Sequence, residues 1–236
     1  MLIQTSEWES WLLDIIEAGY IRGVHLVIWI SAIAIMYVAG AIFLNRSLQE
    51  GLLKSQMWVY RSFGLFFILM GITRILFVLG YFIEPFYNFL LALGYAFGAL
   101  SLLPLVITLE KWLIKWSRHF FSIVGIILTI LSFYFVIFDV SHSELSRTIQ
   151  EIGMPIMAGS FLILYMYLIK ITIGAVRKKA ILTLIGMTIF VIGIVLDGER
   201  LLYGFYGTSL LLPMMFLSPA VFISGILLML YAQRVD

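Results

Sequence analysis

Four charged residues stand where charge is expensive. Arg74 lies deep inside one apolar run, and Asp197, Glu199 and Arg200 fall near the end of another. A charge in hydrocarbon costs at least a few kcal/mol, so it normally faces the protein interior and finds a partner. Arg74 is sixteen residues beyond Trp58, where its run begins, and Asp197 is seventeen beyond Ala180. At about 1.5 Å per residue the two reach nearly the same depth, about 24–26 Å. An Arg74–Asp197 or an Arg74–Glu199 pair fits that geometry equally well. If the helix continues through Gly198, Asp197 and Arg200 share a face at i, i+3 and Glu199 points elsewhere. Three chemistries are open to the cluster: a buried ion pair that fixes helix packing, a ligand- or ion-binding site, or side chains that snorkel to the interface.

The remaining reactive residue types are sparse. The chain has no cysteine, which removes disulfides, thiolate metal sites and cysteine nucleophiles. Of its three histidines, His25 begins an apolar run, His119 sits among basic residues, and His142 lies near Asp139 and Glu144. The last trio has metal-ligating types, but such residues are common in loops and no HExxH spacing accompanies them. Only His25 approaches hydrocarbon, so membrane haem held by two histidines is excluded. The expectation is a chain without cofactor or metal. An enzyme acting on lipid is the least favoured class, because no set of titratable groups has catalytic spacing on neighbouring runs.

The elements that position the cluster follow from hydropathy. The chain has 236 residues, of which 63% are hydrophobic and 12% charged, with a mean hydropathy of +1.09. Soluble domains carry about 45–50% apolar and about 25% charged residues. Seven apolar runs are each long enough for the ~20 residues that cross a bilayer. They cover about Val24–Leu44, Trp58–Ile83, Phe86–Leu109, Phe120–Phe138, Ile152–Thr172, Ala180–Tyr206 and Leu211–Ala232. The runs are continuous rather than alternating, which excludes a β-barrel. The fold class predicted is therefore all-α, an integral membrane bundle of seven transmembrane helices.

Residues 1–23 read as a separate amphipathic interfacial helix, with 24–236 as the seven-helix domain. Ser6 and Glu9 have capping-box spacing, and Trp8, Trp11, Leu12, Ile15 and Ile16 form one apolar stripe. Four acids and the lack of a basic leader argue against a signal peptide. Such a helix would lie flat at headgroup depth, as an anchor or as a cover over one end of the bundle.

Lysine and arginine set the expected orientation. Eleven lie after the first, third and fifth runs or at the C-terminus, and only Arg22, Arg147 and Arg200 lie at the other rim. By the positive-inside rule the N-terminus is outside and the C-terminus cytoplasmic, in a multi-pass protein of the cell membrane. Ten of the thirteen acids fall toward the outer side. The basic inner rim suits anionic lipid headgroups, which account for it without nucleic acid.

Glycines predict where helices approach. Gly94-Tyr-Ala-Phe-Gly98 is a GxxxG, and Gly64 with Gly71 and Gly186 with Gly193 each repeat one face. Pro104, Pro213 and Pro219 are candidate kinks. A weak three-plus-one-plus-three echo pairs Arg74-Ile-Leu-Phe with Arg200-Leu-Leu-Tyr and Gly64/Gly71 with Gly186/Gly193. The two matches need offsets of 126 and 122, whereas a true repeat satisfies one register.

Helix count and orientation resemble the microbial rhodopsins. That likeness implies a Schiff-base lysine in the last run and an acidic counter-ion in the third, and neither is present in Leu211–Ala232 or Phe86–Leu109. The arrangement is also similar to the SWEET sugar transporters, whose Pro-Gln signature is missing. The leading expectation is a non-enzymatic receptor, sensor-like module or subunit of a membrane complex. It would bind an apolar or amphipathic ligand, or a partner membrane protein's helix, near Arg74, Asp197, Glu199 and Arg200. The alternative is a small-solute or ion transporter using the same cluster.

Overall fold

The computed structural model describes residues 20–83, 86–112, 114, 117–138, 143–197 and 211–234. Among them there are seven helices and no strand. In chain order they are α1 (Tyr20–Arg46), α2 (Lys54–Phe82), α3 (Tyr87–Trp112), α4 (Phe120–Phe138), α5 (Ser143–Ile171), α6 (Gly174–Leu196) and α7 (Leu211–Ala232). Six are long and apolar enough to cross a membrane. The exception is α5, whose apolar part among the described residues runs only from Pro155 to Ile171. Its first turns carry Glu144, Arg147 and Glu151, so hydropathy places the run about nine residues later than the helix begins.

Six helices form a closed cycle of neighbours. α1 packs on α2, α2 on α3, α3 on α5, α5 on α6, α6 on α7, and α7 back on α1. α4 stands beside this cycle, against α3 and α5. Phe43, Phe63, Phe66, Phe67, Phe161, Phe190 and Phe222 are all buried. Their rings meet in a continuous column: Phe43 stacks on Phe63 at 5.1 Å, Phe63 meets Phe161 at 6.3 Å, Phe66 meets Phe190 at 5.4 Å, and Phe190 meets Phe222 at 4.2 Å. Aromatic pairs at such separations contribute beyond the area they bury. Phe43 lies one turn from the end of α1 and Phe222 in the middle of α7, so the column fills the space from mid-depth toward the basic rim.

α4 shows which solvent the surface is built for. Its buried residues are Ser122, Gly125, Thr129, Ser132 and Val136, at alternating spacings of three and four. Its exposed residues include Ile123, Ile126, Ile127, Ile130 and Ile137. Ile130 is 61% exposed and Ser132 only 2%. Water would demand the reverse arrangement. In lipid no hydrophobic force opposes exposed isoleucine, and small residues let helix backbones approach. Some buried hydroxyls are satisfied within their own helix, Thr129 by the Gly125 carbonyl at 2.8 Å and Ser160 by Ile156 at 2.7 Å. The described structure is thus a multi-pass helical protein of membrane type.

One expectation changes here, and others fall on residues outside the description. The sixth helix starts at Gly174 and ends at Leu196, rather than running from Ala180 to Tyr206. Asp197 is its C-cap, with the amide bonded back to the Gly193 carbonyl at 3.2 Å. Aspartate and the following Gly198 are poor helix interiors, so the helix stops where the apolar run meets them. The shared face of Asp197 and Arg200 depends on Gly198 and Arg200, which lie outside the described residues. The interfacial helix with Trp8–Ile16 lies outside the described residues, and Tyr20–Gly23 already belong to α1. The trio of Asp139, His142 and Glu144 cannot be placed either, beyond Glu144 lying in α5.

Candidate functional site

Four helices converge on the Arg74 guanidinium. α2 supplies Arg74 and, one turn on, Phe77. α1 supplies His25 and Trp29, spaced i, i+4 and so on one face. α6 delivers Asp197 from its C-cap, and α7 delivers Ser218 and Phe222, again at i, i+4. The α6–α7 approach explains the register. A Cβ on Gly193 would lie 2.8 Å from the backbone of Phe222, so only glycine admits α7 this close. Ser218 then reaches the Gly193 carbonyl with its hydroxyl at 3.0 Å.

Arg74 is bonded through Nη1 to Asp197 Oδ2. Its side chain is 5% exposed, while that of Asp197 is 20% exposed. The pair is therefore lopsided, with a fully enclosed cation and an anion at the margin. The guanidinium carbon lies 4.4 Å from the Trp29 ring centre, 5.1 Å from Phe222 and 5.6 Å from Phe77. Aromatic faces attract a desolvated cation, by up to about 2 kcal/mol each. Trp29 is held in turn, since its indole N–H donates to His25 Nε2 at 3.0 Å. That bond requires an unprotonated Nε2 and puts the imidazole hydrogen on Nδ1. His25 and Ser218 lie near the Asp197 carboxylate, whose bonded partner is Arg74. The Arg74 Nε–H is buried and has no hydrogen-bond partner among the described residues.

The structure brings together Arg74 and Asp197 of the four predicted residues. Glu199 and Arg200 lie outside the described residues. Sequence reasoning missed Trp29, Phe77, Ser218 and Phe222, and it read His25 as interfacial. The i, i+4 spacing of His25 and Trp29 was a usable signal.

A second buried charge, Glu110, was also missed. It is 2% exposed near the end of α3 and caps α4, accepting the Phe121 amide at 3.1 Å and the Ser122 amide at 2.7 Å. The Ser122 hydroxyl donates to it as well. A carboxylate at a helix N-terminus satisfies free amides and complements the helix dipole. It also anchors a tight reversal, because Arg118 (φ 48) and His119 (φ 64) both adopt the left-handed conformation just before α4. Glu110 is the only acid in α3, which was the available signal.

Chemically, the Arg74 site offers a buried cation, an aromatic wall and a buried Nε–H donor without a partner among the described residues. Among the described residues no group of three or more His, Asp or Glu is placed to hold a metal ion. The sequence matches no family model, and neither curated proteins nor solved structures give a match.

Proposed function

We propose that this chain is a non-enzymatic, multi-pass module of the cell membrane, receptor- or sensor-like, that binds an amphipathic ligand at the Arg74 site. The observation that carries the reading is the contrast between the two halves. At the Asp197 end a charged, aromatic-walled site has a donor to spare. Toward the basic rim the interior is closed by stacked phenylalanines. A binding site needs a few convergent polar groups in an apolar wall, and only the first half supplies them. A transporter needs groups that can be reached from both sides, and the Phe43–Phe67 column argues against that path.

In this reading the N-terminus is outside and the basic rim faces the cytoplasm, where it meets anionic lipids. Lys54 and Lys111 support the lipid contact, with both ammonium groups about the same Trp112 ring at 5.5 and 5.6 Å. A phosphate between them would relieve their repulsion. A signal from the site would pass through a partner membrane protein.

Native mass spectrometry after mild detergent extraction tests the proposal. A bound species of defined mass should accompany the wild-type chain and be lost from Trp29→Ala. A chain that carries no adduct under any extraction condition, or one whose adducts are unchanged by Trp29→Ala, would count against it.

A further inference from the structure

The chemistry of the ligand's polar end can be read from how Arg74 is bonded. A guanidinium has five N–H donors in a plane and presents them along separate edges. Asp197 is reached through Nη1, so the edge bearing Nε–H is not the one this carboxylate occupies. That Nε is buried without a hydrogen-bond partner among the described residues. Buried donors are rarely left unmet, because each costs its desolvation energy, and more when the group is charged. The Arg74 side chain is 5% exposed, so water has little access to that donor. The aromatic faces of Trp29, Phe77 and Phe222 surround the guanidinium without supplying an acceptor atom.

We infer that the site takes an amphiphile with an oxyanion headgroup, a carboxylate or a phosphate, seated on the Nε edge of Arg74 with its apolar tail leaving past the half-buried Phe77. This rests on the ligand-binding reading above and narrows it. An oxyanion fits because it accepts along a guanidinium edge and, being charged, makes the stronger hydrogen bond to it. A hydroxyl or ester headgroup would fill the donor with a weaker, neutral acceptor.

The experiment uses the full chain in mild detergent and three probes of matched tail: oleate, dioleoyl phosphatidic acid and oleyl alcohol. Thermal unfolding is followed against probe concentration. At least one oxyanion should raise the melting temperature with an apparent affinity about tenfold or more above that of oleyl alcohol, as a charged hydrogen bond implies. Oleate alone would identify a carboxylate amphiphile, and phosphatidic acid alone a phospholipid headgroup. Arg74→Gln should abolish the preference. Asp197→Asn, which keeps an acceptor but removes the competing charge, should tighten oxyanion binding several-fold. That second variant keeps the test decisive if Arg74→Gln does not fold. Equal binding of oleyl alcohol and the oxyanions, or weaker oxyanion binding in Asp197→Asn, would overturn the headgroup assignment while leaving an amphiphile site intact. No stabilisation by any of the three would overturn both.

Discussion

Arg74 is enclosed by α1, α2, α6 and α7, and its charge is met by one carboxylate and three rings. Removing one member of a buried pair strands the other, at a cost of roughly 3–5 kcal/mol. Arg74→Ala should therefore lower the melting temperature sharply, and adding Asp197→Asn should recover part of the loss by discharging the stranded acid. An unchanged melting temperature in Arg74→Ala would mean that the pair contributes nothing to the fold. Legibility at this scale follows contrast. A charge inside an apolar run is conspicuous, so Arg74 and Asp197 were visible in the sequence. Trp29, Phe77 and Phe222 were not, because aromatics make up 16% of the chain and only packing selects these three. The end of α6 at Leu196 fixes where the Asp197 carboxylate points, and hydropathy alone does not mark that end. Glu110 was overlooked because a lone acid beside Lys111 and Trp112 reads as an ordinary rim residue. Its capping of α4 depends on a chain reversal through Arg118 and His119 that no local pattern announces.

At the scale of elements, glycine decides how closely helices approach, and the contacts separate glycines that matter from those that do not. Gly186, Gly193 and Gly225 form one seam between α6 and α7. A Cβ on Gly225 would lie 2.7 Å from the Gly186 carbonyl and 2.6 Å from the Phe190 amide nitrogen, both backbone atoms that cannot turn aside. Gly159 in α5 has nothing within 4 Å. Gly225→Ala should destabilise by about 1–3 kcal/mol through forced separation of the helices. Gly159→Ala should be neutral or stabilise by up to about 1 kcal/mol, since alanine is the better helix former. Thermal unfolding of the two variants side by side checks this, and equal effects would remove the seam from the account of the fold. The same contacts bear on the sequence echo between the second and sixth runs. Gly64 faces Leu44 of α1, whereas Gly186 faces Gly225 and Met229 of α7. In a parallel duplication α1 would correspond to α5 and α7 to α3, so the two glycine pairs meet non-equivalent neighbours. The seam glycines of α6 were legible from spacing, but their partner Gly225 was not, because it is a single glycine in an apolar run. Proline was legible only in part. Pro104 and Pro219 lie inside α3 and α7, while Pro213 falls in the first turn of α7, where its missing N–H costs nothing.

For the whole molecule, the polarity of charge and the polarity of packing run along the same axis. The expected orientation places the basic rim in the cytoplasm and the Arg74 site in the outer half. The absence of native cysteine makes that axis readable with single introduced ones. Gln56 is exposed at the basic rim, and Phe86 is exposed at the other. In intact cells an impermeant maleimide should label Phe86→Cys and spare Gln56→Cys, and the reverse pattern would invert the molecule. The same reagent distinguishes a ligand-binding module from a conduit. α2 runs the full depth and presents buried residues at every level, Phe63 and Phe67 in the aromatic column and Arg74 above them. Cysteines at Phe63 and Phe67 should stay unlabelled from either side, because stacked rings leave no room for water. A cysteine at Phe77, against the guanidinium, should react from the outer side and be protected by bound amphiphile. A transporter would differ in kind, since alternating access requires the column to open. Labelling of Phe63→Cys or Phe67→Cys from the cytoplasmic side, together with Phe77→Cys from outside, would trace a continuous path and replace the receptor reading with transport.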